Sequence, residues 1–331
     1  MSGLRNLVDK LKPTFSEGGK LSFLASTFDA FETFLFVPNT TTPKGAHIRD
    51  CNDMKRTMIV VSYVVGLGIE FAFAQARGHE VNEGFLVSGL LIPMVMPVGT
   101  PLWMIALGTA FAVVFGKEVF GGTGMNVFNP ALLARAFVFF AYTPQMSGEK
   151  VWFAVDSVSG ATALEQLSTT GAMSYSNLDA FLGFIPGCVG ETSTLAILIG
   201  AAILLFTGIA SWRTMLSVFA GGWLMGLLFN AVGANAYCEI PAWQHLIVGG
   251  FAFGAVFMAT DPVTSAQTNA GKYIVGLMTG ALAVMIRVVN PAYPEGMMLS
   301  ILFMNALAPL VDYFVVERNI ARRKNRVKLA K

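Results

Sequence analysis

Apolar residues along this chain come in long blocks separated by short polar punctuation. The blocks fall at about 58–74, 85–96, 102–119, 131–142, 194–210, 214–232, 243–259, 273–289 and 298–315. Most come near the roughly 20 residues an α-helix needs to cross a bilayer, so the pattern predicts nine candidate spans in an all-α, multi-pass membrane protein. Composition agrees, with 54% hydrophobic residues and mean hydropathy +0.62. Only 13% of residues are charged, about half the share of an ordinary soluble domain. The net charge of +2 is uninformative as a total; its distribution is what matters, and nucleic acid is excluded as a partner.

The last block is followed by "VERNIARRKNRVKLAK", with seven Lys/Arg in sixteen residues. The positive-inside bias therefore places the C-terminus in the cytoplasm. Counting back, the loops holding Lys272 and Arg213 fall inside, and the loop with Cys238 and Glu239 falls outside. The segment from 142 to 194 is outside too, with one basic residue, Lys150, against Glu149, Asp156, Glu165, Asp179 and Glu191. An odd number of spans then leaves the N-terminal arm outside, although its eight Lys/Arg up to Arg56 favour the cytoplasm. Either one block dips into the membrane and returns, or a span is missing within 58–74. No cleavable signal peptide is expected at the start.

Several blocks carry breaks that an ordinary span lacks. "IPMVMPVGTP" has three prolines in ten residues, "VFNPALL" sets Asn129 before Pro130, and "ATDPVTS" sets Asp261 before Pro262. Asn or Asp followed by Pro marks a helix start or a loop turn, and two such starts beside apolar blocks predict helices broken at membrane depth. The stretches "IPMVMPVGTPLWMIALGTAFAVVF" and "IPGCVGETSTLAILIGAAILLF" echo one another, which suggests a duplicated, transporter-like scaffold. The organisation expected is a cytoplasmic arm (1–56), a first transmembrane repeat (57–143), an outer segment (144–193), a second repeat (194–316) and a basic cytoplasmic tail (317–331).

One polar run of small residues stands out, "DSVSGATALEQLSTTG" (156–171). Asp156, Ser159 and Thr162 surround Gly160 and Ala161. No His or Cys lies nearby in sequence to activate a hydroxyl, so Thr162 reads as an attachment point and not as a nucleophile. Cys51, Cys188 and Cys238 lack the close spacing of a zinc or iron–sulfur ligand set, so no metal site is expected. Glu70, Asp261 and Asp312 lie within or at the ends of apolar blocks, where a carboxylate is costly enough to suggest function. The plainer alternatives are a helix cap for Asp261 and an interfacial pair with Arg318 for Asp312. Asn126 and Asn129, beside "GGTG", are either helix caps or hydrogen-bond partners of a ring edge.

"SGAT" (159–162) looks like the flavinylation motif in which a threonine is esterified to the phosphate of FMN. Around it, "HIRDCNDMKRTM", "HEVNEGF", "GKEVFGGTGMNVFNPAL", "ARAFVFFAY", "ASWR", "GGFAFGAVFMATDPV", "RVVNPAYPEGMMLSILF" and "VVERNI" resemble the B subunits of sodium-translocating NADH:quinone oxidoreductases. The resemblance implies two inverted repeats of the urea and ammonium transporter type, in a bacterial inner (cytoplasmic) membrane. It implies covalent FMN on Thr162, framed by Asp156, Ser159, Gly160 and Ala161, and a non-covalent riboflavin, with Asn126 and Asn129 as candidates. A quinone site, for ubiquinone or menaquinone, is implied near Gly66 and Glu70, and a sodium pathway at Glu70, Asp261 and Asp312. The partners implied are the other subunits of a six-subunit complex, which passes electrons from NADH to quinone and exports sodium ions.

Two other readings stay open from the residues: the related membrane subunit of Rnf-type ferredoxin:NAD oxidoreductases, and a solute channel without redox chemistry. The chain also departs from the proteins it resembles. They have an additional stretch between the equivalents of "KRTMIVV" and "GLGIEF", at the place where the span count fails and beside the implied quinone pocket.

Overall fold

A computed structural model describes residues 47–78, 84–146, 162–170, 173–233, 237–290 and 295–329, all of them helical or irregular. Residues 1–56 and 57–331 separate into two units, and the packing described below lies within the second. The helices are α1 (His47–Arg77), α2 (Phe85–Val95), α3 (Leu102–Gly116), α4 (Pro130–Ala141), α5 (Thr143–Met146), α6 (Ala163–Thr170), α7 (Asn177–Leu182), α8 (Thr194–Phe206), α9 (Trp212–Val232), α10 (Gln244–Ile247), α11 (Phe251–Phe253), α12 (Asn269–Val289) and α13 (Met297–Leu329). A π-helical turn, Gly254–Met258, continues α11.

Among the described residues, five helices are long and apolar enough to cross a membrane: Arg56–Arg77, Leu102–Phe120, Trp212–Val232, Asn269–Val289 and Met297–Arg326. The apolar helices α2, α4 and α8 have 11, 12 and 13 residues. At 1.5 Å per residue each falls short of a ~30 Å hydrocarbon core. The 243–259 block is not one helix but α10, a break at 248–250 and α11 with its π turn. Gly249 holds φ +67 at that break, a backbone state L side chains avoid.

Local chemistry accounts for the boundaries. Asn129 caps α4 by accepting from Ala131 N and Leu132 N, with Pro130 at the first helical position. Ser176 and Asp179 form a capping box for α7. Ser193 caps α8 and Thr268 caps α12. Asp261–Pro262, by contrast, starts no helix. Asp261 Oδ1 accepts from Val263 N at 3.1 Å, its Oδ2 from the Thr264 hydroxyl at 2.9 Å, and its carbonyl from Ser265 N at 3.1 Å. Those bonds close a turn, and the next helix waits for the Thr268 cap.

The tightest packing joins α9 to α12, and small residues cause it. A side chain on Gly221 would overlap the Leu277 carbonyl, and one on Gly280 the Val218 carbonyl, so the two backbones touch through glycine as membrane helices commonly do. Against the other flank of α12, Val275 forms an apolar cluster with Ala266, Met304 and Ala308. Large apolar side chains such as Leu198, Ile199, Ile203, Leu216, Leu224 and Leu228 remain exposed, which suits lipid or partner subunits and not water.

Candidate functional site

Thr162 immediately precedes α6, and its carbonyl accepts the first helical bond, from Gln166 N at 2.9 Å. It is half-buried, while Ala163, Leu164 and Leu167 behind it are buried. Leu164 packs toward Gly249, so the break between α10 and α11 is where α6 is seated. The first N–H groups of a helix have no partner within the helix, and the macrodipole puts partial positive charge there. A phosphate ester on the Thr162 hydroxyl fits that end. Asp156, Ser159, Gly160 and Ala161 lie outside the described residues.

Gly66 and Glu70 sit one turn apart on α1 and meet the same neighbours. A side chain on Gly66 would overlap the ring of Phe85. Glu70 pairs with Lys117, both side chains only 4% exposed, and the ammonium of Lys117 lies 5.9 Å from the centre of that same Phe85 ring. Next to Lys117, the buried Glu118 pairs with Arg77 at 3.5 Å, and Arg77 also donates to the Glu118 carbonyl at 2.6 Å. Four charges thus form two pairs, one fully buried, at the ends of α1 and α3.

Asn129 and Asp261 meet although 132 residues apart, with Asn129 Nδ2 donating to Asp261 Oδ2 at 3.4 Å. Since Asn129 Oδ1 is already engaged by the α4 N-terminus, its amide is committed to structure, which favours capping over binding a flavin ring. Among the described residues, half-buried Asn126 makes a long 3.5 Å bond to the Phe128 carbonyl and no other side-chain bond; it keeps the capacity that Asn129 lacks.

Asp312 stands apart from both groups. Its Oδ2 accepts from Gln267 N at 2.6 Å, and its Oδ1 from Thr268 N at 3.1 Å and the Thr268 hydroxyl. It therefore fastens α13 to the start of α12. Among the described residues the ion pairs do not include one with Arg318.

Sequence reasoning missed Lys117, Glu118, Arg135, Glu191, Arg287 and Glu295. Arg135 lies inside an apolar block and donates to the Val95 carbonyl and to Glu295. Arg287 is fully buried and donates to the carbonyls of Val248 and Glu295, both at 3.0 Å, and of His245. A charge inside an apolar block is itself the signal that would have found the basic members.

Comparison with known proteins places the chain in a family. Residues 39–321 match the model of the NQR2, RnfD, RnfE family. The chain belongs to that family. It is 44% identical over 397 aligned positions to the Na(+)-translocating NADH-quinone reductase B subunit of Chromohalobacter salexigens, covering 98% of this chain and 97% of the relative. The B subunit of the same name from Pseudomonas aeruginosa is 42% identical, covering 97% of this chain and 98% of the relative. That from Azotobacter vinelandii is 41% identical, with the same coverage. An alignment of 397 positions exceeds the 331 residues here, so these relatives carry residues with no counterpart in this chain.

Proposed function

We propose that this chain is the membrane-embedded B subunit of a sodium-translocating NADH:quinone reductase, carrying covalent FMN on Thr162 and a non-covalent riboflavin. The observation that carries the reading is the end-to-end similarity to subunits of that name, together with a threonine at the N-terminus of α6. FMN supplies one-electron transfer; the chain's part is to hold it in position and set its electrostatic surroundings. Thr162 tethers the phosphate, the N-terminal N–H groups of α6 face its charge, and Leu164 and Leu167 anchor the helix in the core. Asn126 is the better placed of the two asparagines to meet riboflavin.

The quinone, ubiquinone or menaquinone, is taken near Gly66 and Glu70, where the buried Phe85 ring packs on Gly66 and Lys117 holds a buried charge. Sodium passes outward from the cytoplasm, with Glu70 and Asp261 as the carboxylates along the way. Asp312, with both oxygens engaged at the start of α12, serves the pathway by placing α12 against α13. The short apolar helices α2, α4 and α8, the break between α10 and α11, and the bond between Asn129 at the start of α4 and the Asp261–Pro262 turn support two inverted repeats meeting in the bilayer interior. The setting is the bacterial inner membrane, within a six-subunit complex.

The test is in-gel flavin fluorescence of the denatured subunit. Fluorescence should survive denaturation in the wild type and vanish in Thr162→Ala; a band persisting in the variant refutes the attachment.

A further inference from the structure

A second constellation of charge, a buried arginine and two partly buried carboxylates, lies away from Thr162 and from Glu70. Arg135 on α4, Glu191 in the loop before α8, and Glu295 just before α13 converge on a small cavity walled by Met94, Met258, Met297 and Phe253. Arg135 pairs with Glu295 Oε2 and also donates to the Val95 carbonyl. Glu191 Oε1 accepts from Cys188 N at 2.9 Å. The Cys188 side chain also hydrogen-bonds the Glu191 carboxylate, while Arg135 and the Cys188 N–H engage Glu295 Oε2 and Glu191 Oε1, leaving Glu191 Oε2 and Glu295 Oε1 as the oxygens that face Gly250. Both lie 3.0 Å from the point where a side chain on residue 250 would begin, so they are within twice that distance of each other, across the space beside Gly250.

The geometry points to a binding site for one monovalent metal cation, sodium in the working complex, held between Glu191 Oε2 and Glu295 Oε1 in the space left open by Gly250. Only the naming of sodium rests on the function proposed above.

Charge, size and donor type agree. Two carboxylates face one guanidinium; the other cation near this segment, Arg287, is directed at backbone carbonyls, that of Glu295 among them. Cys188 adds a thiol, whose Sγ lies 3.3 Å from the Val95 carbonyl and 3.4 Å from Arg135. A single positive charge between the carboxylates would offset the repulsion that Glu295 exerts on Glu191. The enclosed space admits one or two water-sized bodies, too little for a flavin or a quinone ring. Carboxylate oxygens suit a hard cation.

The charge pattern assigns the segment that supplies Glu191 to the outer side, so the site stands where an exported ion would pause before release. Burial, and then Glu295, push the Glu191 carboxyl up to about 7 while Arg135 pulls it down. Protons and cations therefore compete for the pair near neutral pH.

The experiment uses the assembled complex with Gly250→Ala, Glu191→Gln and Glu295→Gln, read by equilibrium binding of radioactive sodium and by sodium dependence of NADH-driven quinone reduction. Gly250 has φ −72° and ψ 11°, which alanine adopts freely, so that variant adds only a methyl group in the ion's place. Gly250→Ala and Glu191→Gln should each raise half-saturating sodium by about tenfold, the loss of a direct ligand or its space, and bind one ion fewer per complex. If Glu295→Gln fails to assemble because Arg135 loses its partner, Gly250→Ala, which keeps every charge, decides the matter.

Binding that matches the wild type in Gly250→Ala and Glu191→Gln at every pH means the pair only shares a proton, and overturns the site. A wild type whose sodium binding is sensitive to Gly250→Ala, but whose quinone reduction ignores sodium, overturns the functional reading and leaves the site standing.

Discussion

Removing Lys117 tests the buried charge around Glu70. Lys117 and Glu70 are each 4% exposed and face each other directly. Lys117→Met keeps most of the side-chain volume but leaves a carboxylate in an environment that does not solvate it. Breaking a buried pair from one side typically costs about 3–5 kcal/mol, whereas replacing both partners by neutral groups is often close to neutral. The nearby Arg77 compensates little, because it already pairs with Glu118 and its side chain is 35% exposed. The double variant Lys117→Met/Glu70→Gln should therefore recover most of the loss, leaving a coupling of roughly 2 kcal/mol or more between the sites. Thermal unfolding of the purified complex in detergent, followed by the yield of assembled subunit, reads both effects. A Lys117→Met variant as stable as the wild type, or a double variant no better than the single one, would refute the buried pairing.

Further outcomes follow from the same geometry. Asp312→Ala should lower thermal stability by about 1–2 kcal/mol by removing the acceptor of Gln267 N, Thr268 N and the Thr268 hydroxyl, and Asp312→Asn, which keeps an acceptor, by less; equal effects would argue against that fastening, and a large rise in half-saturating sodium without loss of stability would return Asp312 to the ion pathway. Because Glu191 titrates near 7 when buried beside Glu295, and a raised carboxyl holds its proton below that value, apparent sodium affinity should fall as pH drops from about 8 to 6; Glu191→Gln should flatten the slope. A cysteine placed at Ser168 should react with an impermeant reagent on intact cells if the segment before α8 is outside; labelling only after permeabilisation would reverse the topology.

Much of the helix inventory was legible because apolar blocks and caps are local signals. Each of the nine blocks contains helix, and Asn129–Pro130 starts α4 as its sequence suggests. The 243–259 block misled as a continuous span because its break rests on a single left-handed glycine, Gly249. Asp261–Pro262 misled as a helix start because Thr264 and Ser265 turn the chain back on it. The pairings were not legible: Asn129 meets Asp261 across 132 residues, and Arg135 meets Glu295 across 160. Composition and spacing hold no record of such partners. Thr162 was singled out by its polar surroundings, whereas its place at a helix N-terminus emerged only from the fold.

The most direct measurement is NADH-driven quinone reduction by the purified complex containing this subunit, titrated with sodium in otherwise sodium-free buffer. Reduction should accelerate as sodium is added, and potassium should not substitute. A rate independent of sodium, or electrons passed to ferredoxin or NAD in place of quinone, would contradict the proposed function.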